Sequence, residues 1–106
     1  MVIEYIRYDV PVGRCEQFIN AYRAAAEQLA SASQCLAFEV SRGIESPGRF
    51  VVRIEWASKR AHEDGFQRER LFNAFQENVK PFNGNVREME HYQVEVVSVP
   101  QAASVH

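Results

Sequence analysis

A tryptophan and a histidine six positions apart, Trp56 and His62, are the residues of this sequence best suited to chemistry. Phe66, Phe72 and Phe75 follow in the same stretch, and Ile6 and Tyr8 belong to an earlier segment that can face them. An enclosure of aromatic walls holding an indole N–H, a phenol and an imidazole is what a planar organic ligand needs. An imidazole titrating near neutrality can also take or give a proton, which makes His62 the first candidate and His91 a second one. The competing reading is an ordinary core, because aromatic residues at helical spacing pack against sheets whether or not a ligand is present. Other chemistries lack their residues. Gly13 precedes a helical segment without the companion glycines and lysine of a phosphate loop. There is no Cys-x-x-Cys pair, His62-Glu63 has no second histidine four places after the first, and His62, His91 and His106 are the only histidines. A zinc site is therefore not expected. The serines form no nucleophile elbow, and Cys15 falls on the apolar side of a helix, where a buried thiol is expected.

The elements that must position these residues follow from periodicity. Val2–Val10 is rich in β-branched and aromatic residues and ends at Pro11-Val12-Gly13, which predicts a strand and a turn. From Arg14 to about Ala32, Cys15, Phe18, Tyr22, Ala25 and Leu29 recur at helical spacing and predict an amphipathic helix. Cys35–Glu45 reads as a strand with Leu36, Phe38 and Val40 on its apolar face, and Ser46-Pro47-Gly48 turns the chain. The returning strand, Arg49–Trp56, alternates cleanly, with Phe50, Val52, Ile54 and Trp56 on one side. Ser58 can cap a short helix reaching about Phe66, broken near Gly65, and a further helix is expected from Arg68 to Val79. Pro81 and Gly84 stop it before a last strand, Val86–Val97, whose inward face the alternation leaves open.

The order β-α-β-β-α-β, with its second helix broken, predicts an α+β ferredoxin-like fold: a four-stranded antiparallel sheet with helices on one face. One domain is expected over residues 1–97, followed by a flexible tail over 98–106. The uncovered face would carry Tyr5, Arg7, Asp9, Glu39, Ser41, Arg53 and Glu55, and two such faces could pair as an isologous dimer.

Composition narrows the partners. Twelve Lys and Arg oppose fourteen Asp and Glu in 106 residues, a formal charge of −2, so a nucleic-acid partner is not expected. No apolar run approaches the roughly 20 residues that span a bilayer, and the charged, strand-like opening Val2-Ile3-Glu4-Tyr5-Ile6-Arg7 leads us to expect no signal peptide. Two cysteines make no disulfide framework. A cytoplasmic protein without a membrane partner is expected.

The run Arg53-Ile54-Glu55-Trp56-Ala57-Ser58, then His62, Gly65-Phe66, Phe72, Phe75 and Pro81, resembles the antibiotic biosynthesis monooxygenase family. The opening Glu4-Tyr5-Ile6-Arg7-Tyr8 and the closing Glu88-Met89-Glu90-His91-Tyr92 fit the same pattern, so the resemblance covers about residues 2–96. It implies a dimeric α+β barrel, a homodimer formed through the sheet face. It also implies a cofactor-independent monooxygenase that oxidises a small quinol- or anthrone-like substrate with O₂, with neither metal nor flavin. Trp56 would orient the substrate and His62, standing where the anthrone-oxidising members have a tyrosine, would be the base. Ile6, Tyr8, Val52, Phe66, Phe72 and Phe75 would line the substrate site. Val52 and Gln76 occupy the places of an Asn and an Arg in those members, and Ile6, Gly65 and Phe75 those of the Asn, Trp and His of haem-degrading relatives. The alternative is a non-catalytic dimeric module that binds a hydrophobic small molecule or haem.

Overall fold

Four strands, β1 (Val2–Asp9), β2 (Cys35–Arg42), β3 (Arg49–Trp56) and β4 (Val86–Gln93), form one antiparallel sheet in the order β2-β3-β1-β4. Among the described residues are the helices α1 (Cys15–Ser31) and α2 (Arg70–Val79), with 3₁₀ turns at Val12–Arg14 and Lys80–Asn85. This computed structural model describes residues 1–61, 63 and 70–98. The break expected near Gly65 and the tail beyond Ser98 lie outside them. Ser58 does cap a turn, its Oγ accepting the Ala61 N–H at 2.9 Å.

The α1 residues that recur at helical spacing, Cys15, Phe18, Tyr22, Ala25 and Leu29, are all buried, and α2 adds Phe75 and Val79. They meet one face of the sheet, built from Ile6 and Tyr8 of β1 and Phe50, Val52, Ile54 and Trp56 of β3. Phe18 is the hub of the aromatic packing. Its ring lies 4.4–5.2 Å, centroid to centroid, from those of Tyr8, Tyr22, Phe50 and Phe82, within the range where aromatic pairs attract. The other face of the sheet carries ion pairs, Arg7 to Glu88 at 2.8 Å and Arg53 to Glu55 at 2.9 Å.

Two irregularities correct the simple alternation. In β2 the pairing skips from Cys35 opposite Trp56 to Ala37 opposite Glu55, so Leu36 is the extra residue of a bulge. Leu36 is therefore 56% exposed rather than in the core, and Cys35 takes its place against the core. In β4 a shift beside Arg7 and Tyr8 leaves Arg87 unpaired, while Val86 faces Tyr8, Met89 faces Ile6 and His91 faces Glu4. Met89 and His91 thus lie on the helix side, and Glu88, Glu90 and Tyr92 on the other.

Two strands are also shorter than their composition predicts. β2 ends at Arg42 because the Gly43 N–H closes the pairing on the Arg49 carbonyl at 2.7 Å, and Ile44 is 89% exposed in the turn. β4 ends at Gln93, which lies opposite Val2, where β1 begins and its partner positions run out. Gly48 brings the β2–β3 turn against the end of β1. Its carbonyl accepts the Val10 N–H at 2.7 Å, and a Cβ on Gly48 would sit 2.5 Å from the Val10 carbonyl oxygen.

Phe18→Ala should destabilise the fold by about 3–5 kcal/mol, the range for removing a large buried aromatic. Urea denaturation followed by circular dichroism measures it. A loss below 1 kcal/mol would show that Phe18 is not the hub of the core.

Candidate active site

Strand parity places a carboxyl group in the core. Glu4 lies between the inward-facing ends of β1 and is 2% exposed, the one buried charged residue among those described. Its Oε1 accepts a hydrogen bond from the indole Nε1 of Trp56 at 3.0 Å, and Trp56 is itself 1% exposed at the end of β3. Burial pushes the Glu4 carboxyl above the ordinary value of 4.5, because the charged form loses its water, while the Trp56 hydrogen bond pulls the other way.

Four residues along the same face, the Tyr8 hydroxyl lies 2.6 Å from that of Tyr22 on α1. Two hydroxyls carry two hydrogens, and their mutual bond uses one. Nothing among the described residues accepts the second. Burial, as the first cause, raises the pKa of both phenols, and the charge of Glu4 raises them further, so the two polar groups sense one another through the core.

Between them lies a cavity of about 140 Å³. Glu4, Ile6 and Tyr8 of β1 and Ile54 and Trp56 of β3 form its floor. Tyr22, Phe72, Phe75 and Gln76 close it from the helices, and Asn83, Val86 and Met89 border it on the β4 side. Cavities of about 150 Å³ with apolar walls accommodate one benzene ring.

Of the residues singled out in the sequence, Trp56, Ile6, Tyr8, Phe72 and Phe75 come together on this cavity. Val52 does not line it. Its Cα partners are Ile6 and Val40 in the middle of the sheet, where it is wholly buried. His91 is half-buried directly opposite Glu4, a position that holds facing Cβ atoms about 4.5–5.5 Å apart. Burial and then Lys59 lower its pKa, against Glu63, which raises it. His62 and Phe66 lie outside the described residues. Glu4 and Tyr22 are the site residues that sequence reasoning passed over. The signal for Glu4 was present, since it shares the parity of Ile6 and Tyr8 and is the one charge on that apolar face. Tyr22 had no signal that distinguished it from its helical core neighbours.

Among the described residues no three His, Cys, Asp or Glu side chains come together to hold a metal ion, and no helix is long and apolar enough to cross a membrane.

The antibiotic biosynthesis monooxygenase family model matches residues 1–78, and the chain belongs to that family. Its fold recurs in solved structures. A Bordetella bronchiseptica protein classed with the same family is 23% identical, with a TM-score of 0.72 over 90% of this chain and 97% of its own. A variant of SnoaB, a cofactor-independent oxygenase from Streptomyces nogalater, is 13% identical with a TM-score of 0.75, over 91% of this chain and 94% of its own. A conserved protein from Methanosarcina mazei Go1 is 15% identical, again with a TM-score of 0.75, over 89% and 92%. No curated protein matches the sequence significantly.

The sign of the Glu4 shift gives a stability prediction. A carboxyl whose folded pKa is raised stabilises the fold fully below the unfolded value near 4.5, and that stability is lost as pH rises through the folded value. Glu4→Gln keeps an oxygen for Trp56 and removes the charge. It should therefore melt at a higher temperature than the wild type at neutral pH, with the gap closing as pH falls toward 4.5. A gap that widens in acid would refute the raised pKa.

Proposed function

We propose that this protein is a cofactor-independent oxygenase that uses O₂ on a small phenolic or quinol-type aromatic. The observation that carries the reading is the buried Glu4 carboxyl, hydrogen-bonded by Trp56 at the end of an aromatic-walled cavity. The cavity's size favours a single ring over three fused ones. Membership of the family and the shared fold of SnoaB support the reaction class.

In this reading the substrate O–H passes its proton to the Glu4 carboxylate, and the resulting aryloxide gives one electron to O₂. The aryloxyl radical and superoxide combine into a C–O bond at a ring carbon bearing hydrogen, which gives a peroxide anion. The peroxide anion takes the proton back from Glu4, and the hydroperoxide then loses water with the hydrogen of that ring carbon, so one oxygen atom remains as a new carbonyl and the other leaves as H₂O. Trp56 keeps Glu4 oriented and presents its ring to the substrate, and the apolar walls exclude water from the charged intermediates. His91, opposite Glu4 on β4, is a second group that can carry this proton between Glu4 and the peroxide. His62 remains a further candidate base. We also propose that two chains pair through the outer sheet face. Its Arg7–Glu88 and Arg53–Glu55 pairs and its half-buried Tyr5 and Val51 have no helix over them among the described residues.

Oxygen uptake over a panel of quinols and phenols tests the reaction. Glu4→Gln should lower kcat by about 10²–10⁴, the usual contribution of a general base. Wild-type turnover should rise with pH through a carboxyl pKa above 4.5. If Glu4→Gln turns over like the wild type while His62→Ala is inactive, the base is His62. If no substrate is oxidised above background, the oxygenase reading falls. Light scattering should give twice the chain mass, and a monomer at micromolar concentration would remove the sheet-face dimer.

A further inference from the structure

The cavity has a second polar end for which the proposed chemistry has no use. Glu4 and Tyr8 lie on the same face of β1 with Ile6 between them, about 13 Å apart at Cα by the rise of an extended strand. The glutamate end holds the proton acceptor. At the tyrosine end two buried hydroxyls share one hydrogen bond of 2.6 Å, and both residues line the same cavity. Their second hydrogen can go to an acceptor placed there. A ring lying on Ile6, with an acidic O–H toward Glu4, would present its opposite edge to this pair.

We propose that the Tyr8–Tyr22 hydroxyl pair is a specificity determinant that selects single-ring aromatics carrying a second oxygen para to the acidic hydroxyl. The inference rests on the oxygenase reading for the name of the ligand class, but it concerns binding and stands or falls without turnover. The mutual bond holds one of the two hydrogens, whichever hydroxyl donates it, and leaves the other for a ligand acceptor. Substrate oxygenation is compatible with this choice. With both para positions substituted, oxygen enters at the carbon beside the deprotonated hydroxyl, and a quinol plus O₂ yields a hydroxyquinone plus H₂O.

Hydroquinone and p-cresol form the deciding pair of probes, because they differ only in hydroxyl against methyl at the para position. Titration calorimetry under argon measures affinity without turnover. Quenching of Trp56, the one tryptophan in the chain, places the ligand in the cavity. The wild type should bind hydroquinone about fivefold more tightly than p-cresol, the scale of one net hydrogen bond. The double variant Tyr8→Phe/Tyr22→Phe removes both hydroxyls of a buried pair while keeping shape, a change the fold tolerates. It should bind p-cresol at least as tightly as hydroquinone. A hydroquinone preference that survives in the double variant would assign the second oxygen to Gln76 or Asn83 and overturn the proposal. So would a wild type that does not discriminate, or one whose Trp56 is quenched by neither probe. These wild-type outcomes hold even if the double variant misfolds. If discrimination is found without any oxygen uptake, the pair keeps its role and the oxygenase reading alone fails.

Discussion

Taking the Glu4 carboxyl out of water is unfavourable for its ionised form, and the inner face of the sheet is arranged around that constraint. A buried carboxyl persists only if it is hydrogen-bonded, neutral or both. Trp56 supplies the hydrogen bond from the end of the neighbouring strand, and desolvation favours the neutral form. The tryptophan is held in turn by its pairing with Val2 on one side and Cys35 on the other. A carboxylate deprived of water holds a proton more readily than a solvated one, which makes it a natural proton acceptor. The same desolvation that makes it costly makes it useful.

The aromatic cluster shapes what surrounds it. Phe18 gathers Tyr8, Tyr22, Phe50 and Phe82 into one packed group, which occupies the half of the core toward the β2–β3 turn. The cavity lies toward the other half, lined by Trp56 of β3 and Phe72, Phe75 and Gln76 of α2. The β4 bulge contributes by letting Val86 and Met89, three positions apart, both turn toward the helices, where they border the opening. A regular strand would have sent one of them to the other face.

Much of this was legible in the sequence. The five buried residues of α1 are those its period marks, and the alternation of β3 placed Trp56 inward. What escaped was whatever depends on partners distant in the chain. Leu36 belongs to the apolar set of β2 by alternation, yet a bulge, which exists only between paired strands, turns it out. The face of β4 was undecidable because Met89 and His91 alternate with Glu88, Glu90 and Tyr92, and only pairing with β1 resolves it. Glu4 was readable by parity alone, but a single charge in a strand is ordinarily assigned to solvent. Tyr22 could not be distinguished from its apolar helical neighbours until its hydroxyl met that of Tyr8.

β1 lies in the middle of the sheet, between two strands that both come much later in the chain. Its pairings are therefore non-local, and the loops that bring them together must close before any of that contact is gained. The cavity draws on β1, β3, α2 and β4 at once, so it does not exist in any partly assembled chain. A ligand that enters it can recognise only molecules whose sheet is complete. Its binding would then act as a thermodynamic pull on assembly, drawing late-pairing chains into the finished fold.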